Sequence, residues 1–189
     1  MLRLPTVYAI YNHRPEYLQR LRVSQSHWAD EGIKPSLWRS FDCTSSGLSH
    51  TCLTPAEACC YLGHYTLWQH AKTDCLILED DTMFCSDFIR RANAAMSSAP
   101  EWDLLYLGST ATHWRQAARI SGPPGYGKYE QVYGTHCYAV KARALPILVD
   151  RMSCLREPVD LQLYTDALPH LRWYVCEPSL AGQWTYGPE

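Results

Sequence analysis

The run that most constrains this chain is apolar until it ends in three consecutive acids: Cys75-Leu76-Ile77-Leu78 followed by Glu79-Asp80-Asp81. If Leu76 to Leu78 form a buried strand, the acids emerge at its carboxyl end, where open α/β sheets bind their ligands. Clustered carboxylate oxygens suit hard cations such as Mg2+ or Mn2+, and Mg2+ is commonly shared with substrate phosphates. That reading predicts a nucleotide-dependent transferase. The competing reading is an acidic turn ahead of a helix, with Asp81 or Thr82 as its N-cap. The pattern alone leaves both open.

Strand and helix signals alternate around this run. Val7 to Tyr11 is rich in β-branched and aromatic residues and predicts a first strand. Pro15 then opens a helix toward Asp30, which Gly32 ends. Leu37 to Phe41 predicts a second strand, followed by a Ser/Thr/Gly-rich loop through His50. Thr54-Pro55-Ala56-Glu57 has the form of a capping box, with Pro at the first helical position. The helix it starts carries His64 and Trp68 four residues apart, on one face. A helix around Asp87 to Ser97 follows the acids, and strands are predicted at Trp102 to Leu107, Val132 to Val140 and Trp173 to Cys176. Ala142 to Met152 reads as helical, and Pro158 opens a further segment through Leu168. Residues from about 110 to 131 contain Gly122-Pro123-Pro124-Gly125 and read as a long flexible loop, a feature that in compact domains is functional or disordered. The alternation predicts an α/β fold, a doubly wound sandwich with a mostly parallel sheet, in a single domain over residues 1–189.

Composition narrows the class. With 47% hydrophobic residues in 189, the chain can fill one core. The formal net charge of -2 offers no general attraction to nucleic acid or anionic membrane, so nucleic acid is not an expected partner. Neither a secretory signal nor a transmembrane stretch is recognisable, which predicts a cytoplasmic protein. Nine cysteines occur without a C-x-x-C pair or zinc-finger spacing, and read as buried reduced thiols.

Several motifs, in order along the chain, resemble glycosyltransferase family 25, which includes bacterial lipooligosaccharide galactosyltransferases and collagen galactosyltransferase domains. Val7-Tyr8-Ala9-Ile10 with His13-Arg14-Pro15-Glu16 resembles the family's opening strand and turn. Leu53-Thr54-Pro55-Ala56-Glu57, with Cys60, His64 and Trp68, is similar to its "LTPGE-x-GC-x-xSH-x-x-xW" helix. Leu76 to Asp81 matches its "LILEDD" segment. Gly134 to Tyr138 resembles "GTHAY", Pro158-Val159-Asp160 resembles "PVD", and Pro178 to Gln183 resembles "PSL-x-GQ". Two departures stand out: Gly63 replaces the usual Ser before His64, and Ala56 replaces a usual Gly. The chain is also shorter than most members.

The resemblance implies a GT-A fold, an α/β/α sandwich, and inverting transfer of a hexose, galactose or glucose, from a UDP-sugar to a glycan or glycoconjugate hydroxyl. It further implies Mn2+ or Mg2+ on the nucleotide diphosphate, with Asp81 as direct ligand and Asp80 beside it. Asp160 is the candidate base for the attacking hydroxyl, the alternative being a helix cap near Leu161. Tyr11, Asn12, Arg14, Glu79, His64 and His136 are candidates for the nucleotide sugar. Trp114, in a loop read as lid or acceptor surface, and Gln183 are candidates for the acceptor. Two other readings stand beside this one: a glycosyltransferase acting on modified bases of phage DNA, and a non-catalytic binding module of the same fold.

Overall fold

The computed structural model describes residues 4–41, 53–110, 118–120, 126–128 and 132–184. Its frame is an eight-stranded sheet in the order β2-β1-β3-β8-β5-β9-β7-β6. β1 (Thr6–Tyr11) pairs in parallel with both β2 (Ser36–Arg39) and β3 (Cys75–Glu79). β5 (Leu104–Thr110) and β9 (Trp173–Cys176) are likewise parallel to each other. β8 (Tyr133–Val140) is wedged antiparallel between β3 and β5. Across these six strands the sheet is mostly parallel, β8 alone running in reverse.

Residues along the central strands alternate between two apolar layers, as a period of two dictates. Ile10, Ile77, Tyr106 and Tyr138 face one layer, and Ala9, Leu76, Leu78 and Leu105 face the other. Helix α2 (Pro55–His70) and helix α4 (Leu145–Arg151) cover the first layer; α1 (Pro15–Asp30) and α3 (Phe88–Ser98) cover the second. This is an α/β/α sandwich, and it explains why Leu76 to Leu78 carry no polar residue: both faces of that strand are buried.

The local signals act as chemistry requires. Thr54 Oγ1 accepts the Glu57 backbone N–H at 3.3 Å while Glu57 accepts the Thr54 backbone N–H at 2.8 Å, closing the capping box of α2. Gly32 ends α1 at φ 74, a left-handed conformation that suits glycine. Gly63 lies where α2 crosses β1: a Cβ there would come within 2.7 Å of Ile10 Cγ2 and 3.0 Å of Ser40 Cβ. The missing side chain lets the helix lie close to the sheet.

Three expectations are corrected. No helix begins at Asp81 or Thr82; Thr82–Phe84 is strand β4, paired antiparallel with β10 (Ala181–Gln183) in a separate small sheet. α1 holds that strand in place, since Trp28 Nε1 donates to Thr82 O at 2.8 Å and the Phe84 N–H donates to His27 Nε2 at 2.8 Å. Second, the segment expected to be a long loop contains strands β6 (Ala118–Ile120) and β7 (Tyr126–Lys128), an antiparallel pair that extends the main sheet from β9. Gly122 to Gly125, which carried the loop signal, lie outside the described residues. Third, α5 (Val159–Gln162) is one turn long with Pro158 at its N-cap, so Asp160 lies inside the turn rather than at the N-cap position, and from there its Oδ1 accepts the Leu161 N–H at 2.9 Å. Among the described residues, no helix is long and apolar enough to cross a membrane.

Candidate active site

Two neighbouring clefts open where β1, β3 and β8 meet the start of α2. The first, ≈ 300 Å³, is lined by Tyr11, Asn12, Tyr17, Arg20, Ser40 and all three acids. The second, ≈ 450 Å³, is lined by Tyr133, Gly134, Thr135, Pro158 and Asp160. Glu57, Cys60, Glu79 and Gln183 line both and so form the wall between them.

The three acids occupy different surroundings because the strand ends at Glu79 and the chain then turns into β4. Glu79 points toward α2. Its Oε1 accepts from His64 Nε2 at 3.1 Å and from Thr135 Oγ1 at 2.5 Å. Burial opposes its ionisation, but the bonds and charge of His64 and the Thr135 hydroxyl outweigh it and bring the carboxyl down to about 2. His64 is fully buried and is held from behind: Trp68 Nε1 donates to the Tyr138 hydroxyl at 2.9 Å, which stands 2.8 Å from His64 Nδ1. The four groups make one continuous hydrogen-bonded chain from α2 and β8 to Glu79.

Asp80 and Asp81 point toward α1 instead. Arg20 Nη2 lies 2.5 Å from Asp80 Oδ1 and 2.8 Å from Asp81 Oδ2, bridging the pair. Asp80 Oδ2 also accepts the Asn12 backbone N–H at 3.4 Å. Burial raises the Asp80 carboxyl, opposed by Arg20. Asp81 is pushed up to about 7, by burial first and then by the neighbouring charge of Glu79. Its Oδ1 is buried without a hydrogen-bond partner.

An orphaned carboxylate oxygen next to a second carboxylate fits a hard divalent cation, because such a cation supplies the missing charge and accepts oxygen ligands. Asp81 and Asp80 thus have the chemistry to hold Mn2+ or Mg2+. Arg20 supplies positive charge at the same two carboxylates. It gave no sequence signal, since a lone arginine on an amphipathic helix reads as surface.

The other candidates divide by position. Tyr11 and Asn12 line the first cleft, and Asn12 Oδ1 accepts the Arg14 backbone N–H at 3.0 Å. Arg14 itself is not among the residues lining either cleft. Asp160 lines the second cleft, where its Oδ2 accepts the Gly134 N–H and its Oδ1 the Leu161 N–H, both at 2.9 Å. Gln183 reaches the shared wall because β10 pairs Gln183 with Thr82, next to the acids. His136 is 1% exposed and packs away from both clefts, with Nε2 3.4 Å from Ala181 O, and burial lowers its pKa. Gly108 makes room for it: a Cβ there would stand 2.8 Å from His136 Nε2. Trp114 lies outside the described residues.

Comparisons with known proteins bear on this arrangement. A profile of glycosyltransferase family 25 (LPS biosynthesis protein) matches residues 39–163. The human protein named "Inactive glycosyltransferase 25 family member 3" is 31% identical over 117 residues, covering 57% of this chain and 20% of that protein. A "Glycosyltransferase 25 family member" of Anopheles gambiae is 29% identical over 131 residues, covering 64% of this chain and 22% of that protein. The match thus spans about a fifth of the length of these relatives.

Among solved structures, a glycosyltransferase involved in the glycosylation of the major capsid of PBCV-1 superposes with a TM-score of 0.52 at 13% identity, over 95% of this chain and 93% of that one. A197 from STIV gives a TM-score of 0.52 at 11% identity, over 96% and 86%. These likenesses concern the fold, an α/β/α sandwich of the GT-A type. With the family profile covering residues 39–163, which include the capping-box helix, the three acids and Asp160, the chain belongs to glycosyltransferase family 25.

Proposed function

We propose that this chain is a metal-dependent inverting glycosyltransferase that moves a hexose, galactose or glucose, from a UDP-sugar to a hydroxyl of a glycan or glycoconjugate. The observation that carries the reading is the pair of clefts with a common wall, one holding the acids and the other Asp160. A two-substrate transfer needs such a division, because the attacking hydroxyl must approach the face opposite the departing diphosphate.

Tyr11, Asn12 and Ser40 line the first cleft at the carboxyl ends of β1 and β2, where the nucleoside binds. Asp81 and Asp80 would hold Mn2+ or Mg2+, which when bound offsets the charge that grows on the leaving diphosphate. Arg20, which lies beside both carboxylates, would pair with a diphosphate oxygen. Glu79, ionised and fixed by His64 and Thr135, orients sugar hydroxyls at the shared wall, and Gln183 donates to the acceptor beside it.

In the second cleft Asp160 takes the proton from the acceptor hydroxyl. That oxygen bonds to the anomeric carbon while the bond to the diphosphate breaks, and the diphosphate leaves with the electron pair. The two backbone N–H groups on Asp160 hold its carboxylate toward the cleft throughout.

A second reading has a specific observation behind it. The human relative carries "inactive" in its name, and here a cation of the chain's own, Arg20, already bridges Asp80 and Asp81. On that reading the chain binds a nucleotide sugar without transferring it. One experiment separates the two: thermal shift and turnover with UDP-galactose and UDP-glucose, with and without Mn2+. Metal-dependent stabilisation, with the sugar appearing on an acceptor and UDP released, supports transfer. Stabilisation without turnover supports the binding module, and no stabilisation by either sugar removes both.

A further inference from the structure

Behind the Asp80–Asp81 pair, three side chains of different chemistry converge. Cys60 and His64 stand one helical turn apart on α2, and Glu79 ends β3. The Cys60 sulfur, a His64 ring nitrogen and a Glu79 carboxylate oxygen all lie within 4.8 Å of one another. Cys60 Sγ is 3.8 Å and His64 Nε2 3.1 Å from Glu79 Oε1. Zinc binds sulfur at about 2.3 Å and imidazole nitrogen or carboxylate oxygen at about 2.0 Å, so tetrahedral ligand atoms stand roughly 3.3–3.6 Å apart. The separations of 3.1 and 3.8 Å lie close to this spacing, and the sulfur and the imidazole nitrogen stand within 4.8 Å of each other.

The surroundings supply what a metal-bound imidazole needs. Its second ring nitrogen must be held by a fixed partner, and His64 Nδ1 faces the Tyr138 hydroxyl at 2.8 Å, itself anchored by Trp68 Nε1 at 2.9 Å. With its proton on Nδ1, His64 donates to Tyr138 Oη, whose two lone pairs accept from both rings, and frees Nε2 for the ion. Cys60 and Glu79 line both clefts, which gives an ion a path from solvent.

We propose that Cys60, His64 and Glu79 form a binding site for a thiophilic divalent cation, Zn2+ foremost, distinct from the hard-cation pair Asp80 and Asp81. Binding releases to the buffer the Cys60 thiol proton and the His64 Nε2 proton that faces Glu79, as the sulfur–metal and nitrogen–metal bonds form. The soft sulfur and the imidazole discriminate against Mg2+, which prefers oxygen ligands throughout. The site stands whether or not the chain transfers a sugar.

Titration of the intact protein with Co2+, followed by displacement with Zn2+, tests it. The expected result is a thiolate-to-cobalt charge-transfer band in the near ultraviolet that saturates at one equivalent, disappears with Zn2+, and resists excess Mg2+. Cys60→Ser abolishes the band, and Tyr138→Phe, which of the three ligands touches only the histidine, weakens Zn2+ binding by about 10–100-fold in calorimetry. Absence of the band in the unaltered protein overturns the proposal without recourse to any variant. So does a band that survives Cys60→Ser, or one that Mg2+ removes.

Discussion

Asp160 Oδ2 accepts the backbone N–H of Gly134 at 2.9 Å, joining the one-turn helix α5 to the first residues of β8 across the second cleft. Gly134 has φ 81, so this N–H is presented by a backbone conformation that glycine adopts readily and other residues rarely do. The pairing holds the carboxylate in one orientation while it remains at the cleft wall. Asp160→Asn keeps an oxygen for the Gly134 N–H but cannot take a proton. On the transferase reading it lowers kcat by about 10²–10⁴-fold, the range for loss of a general base. The affinity for UDP-sugar, read by calorimetry, stays within error. Unchanged turnover removes Asp160 from the mechanism.

Arg20 is the cation that now balances Asp80 and Asp81. Its replacement in Arg20→Gln leaves two nearly buried carboxylates side by side, and the loss of charged hydrogen bonds costs about 1.5–3 kcal/mol. A hard cation bound there compensates. Melting curves should therefore show a larger Mn2+-induced rise in Tm for Arg20→Gln than for the unaltered chain. An equal rise in both would argue that the cation binds elsewhere.

Gly63 provides a third test, on packing alone. Gly63→Ser restores the side chain usual at this motif position but puts a Cβ 2.7 Å from Ile10 Cγ2 in a closed interface. Overpacking of this kind costs about 1–3 kcal/mol. For a domain of this size, each kcal/mol lowers Tm by about 2–4 °C. A melting temperature equal to that of the unaltered chain would mean α2 has room to shift.

Acid stability turns on Asp103, far from the clefts. Its carboxylate accepts from Arg143 Nε at 2.6 Å, from Arg172 Nε at 3.0 Å and from the Arg172 backbone N–H at 2.9 Å. Burial would raise its pKa, but these bonds dominate and hold it well below the usual carboxylate range. A depressed folded pKa contributes stability that is complete above the unfolded value of about 3.9 and is lost as pH falls through the folded value. Asp103→Asn should therefore be less stable near neutrality, with the difference from the unaltered chain shrinking below about pH 4 in urea titrations. A difference that stays constant down to acid pH would contradict this account.

What could be read in advance follows from how far each signal reaches along the chain. The capping box at Thr54 and Glu57 is legible because its two partners are three residues apart. The buried strand before the acids is legible because a strand covered on both faces has no use for a polar residue. Arg20 reaches Asp80 across sixty positions, Thr135 reaches Glu79 across 56, and Asp160 reaches Gly134 across 26. Such pairings leave no periodicity, so only a matched motif pointed to Asp160, and nothing pointed to Arg20. His136 shows the converse: a histidine in a glycine-rich motif reads as a ligand, and only the fold shows that the missing side chain at Gly108 opens a buried place for it against β10.

By itself, the sequence determined the long helices and the central strands, their alternation, and the position of three acids at a strand end, since all of these depend on neighbours in the chain. The tertiary structure decided how those acids differ. Glu79 is turned toward His64 and kept ionised, while Asp80 and Asp81 are turned toward Arg20, with burial and then the nearby charge of Glu79 raising their affinity for protons. Three adjacent carboxylates acquire separate chemistry because a charge in a protein answers to what lies within a few ångströms, and folding alone brings those groups together.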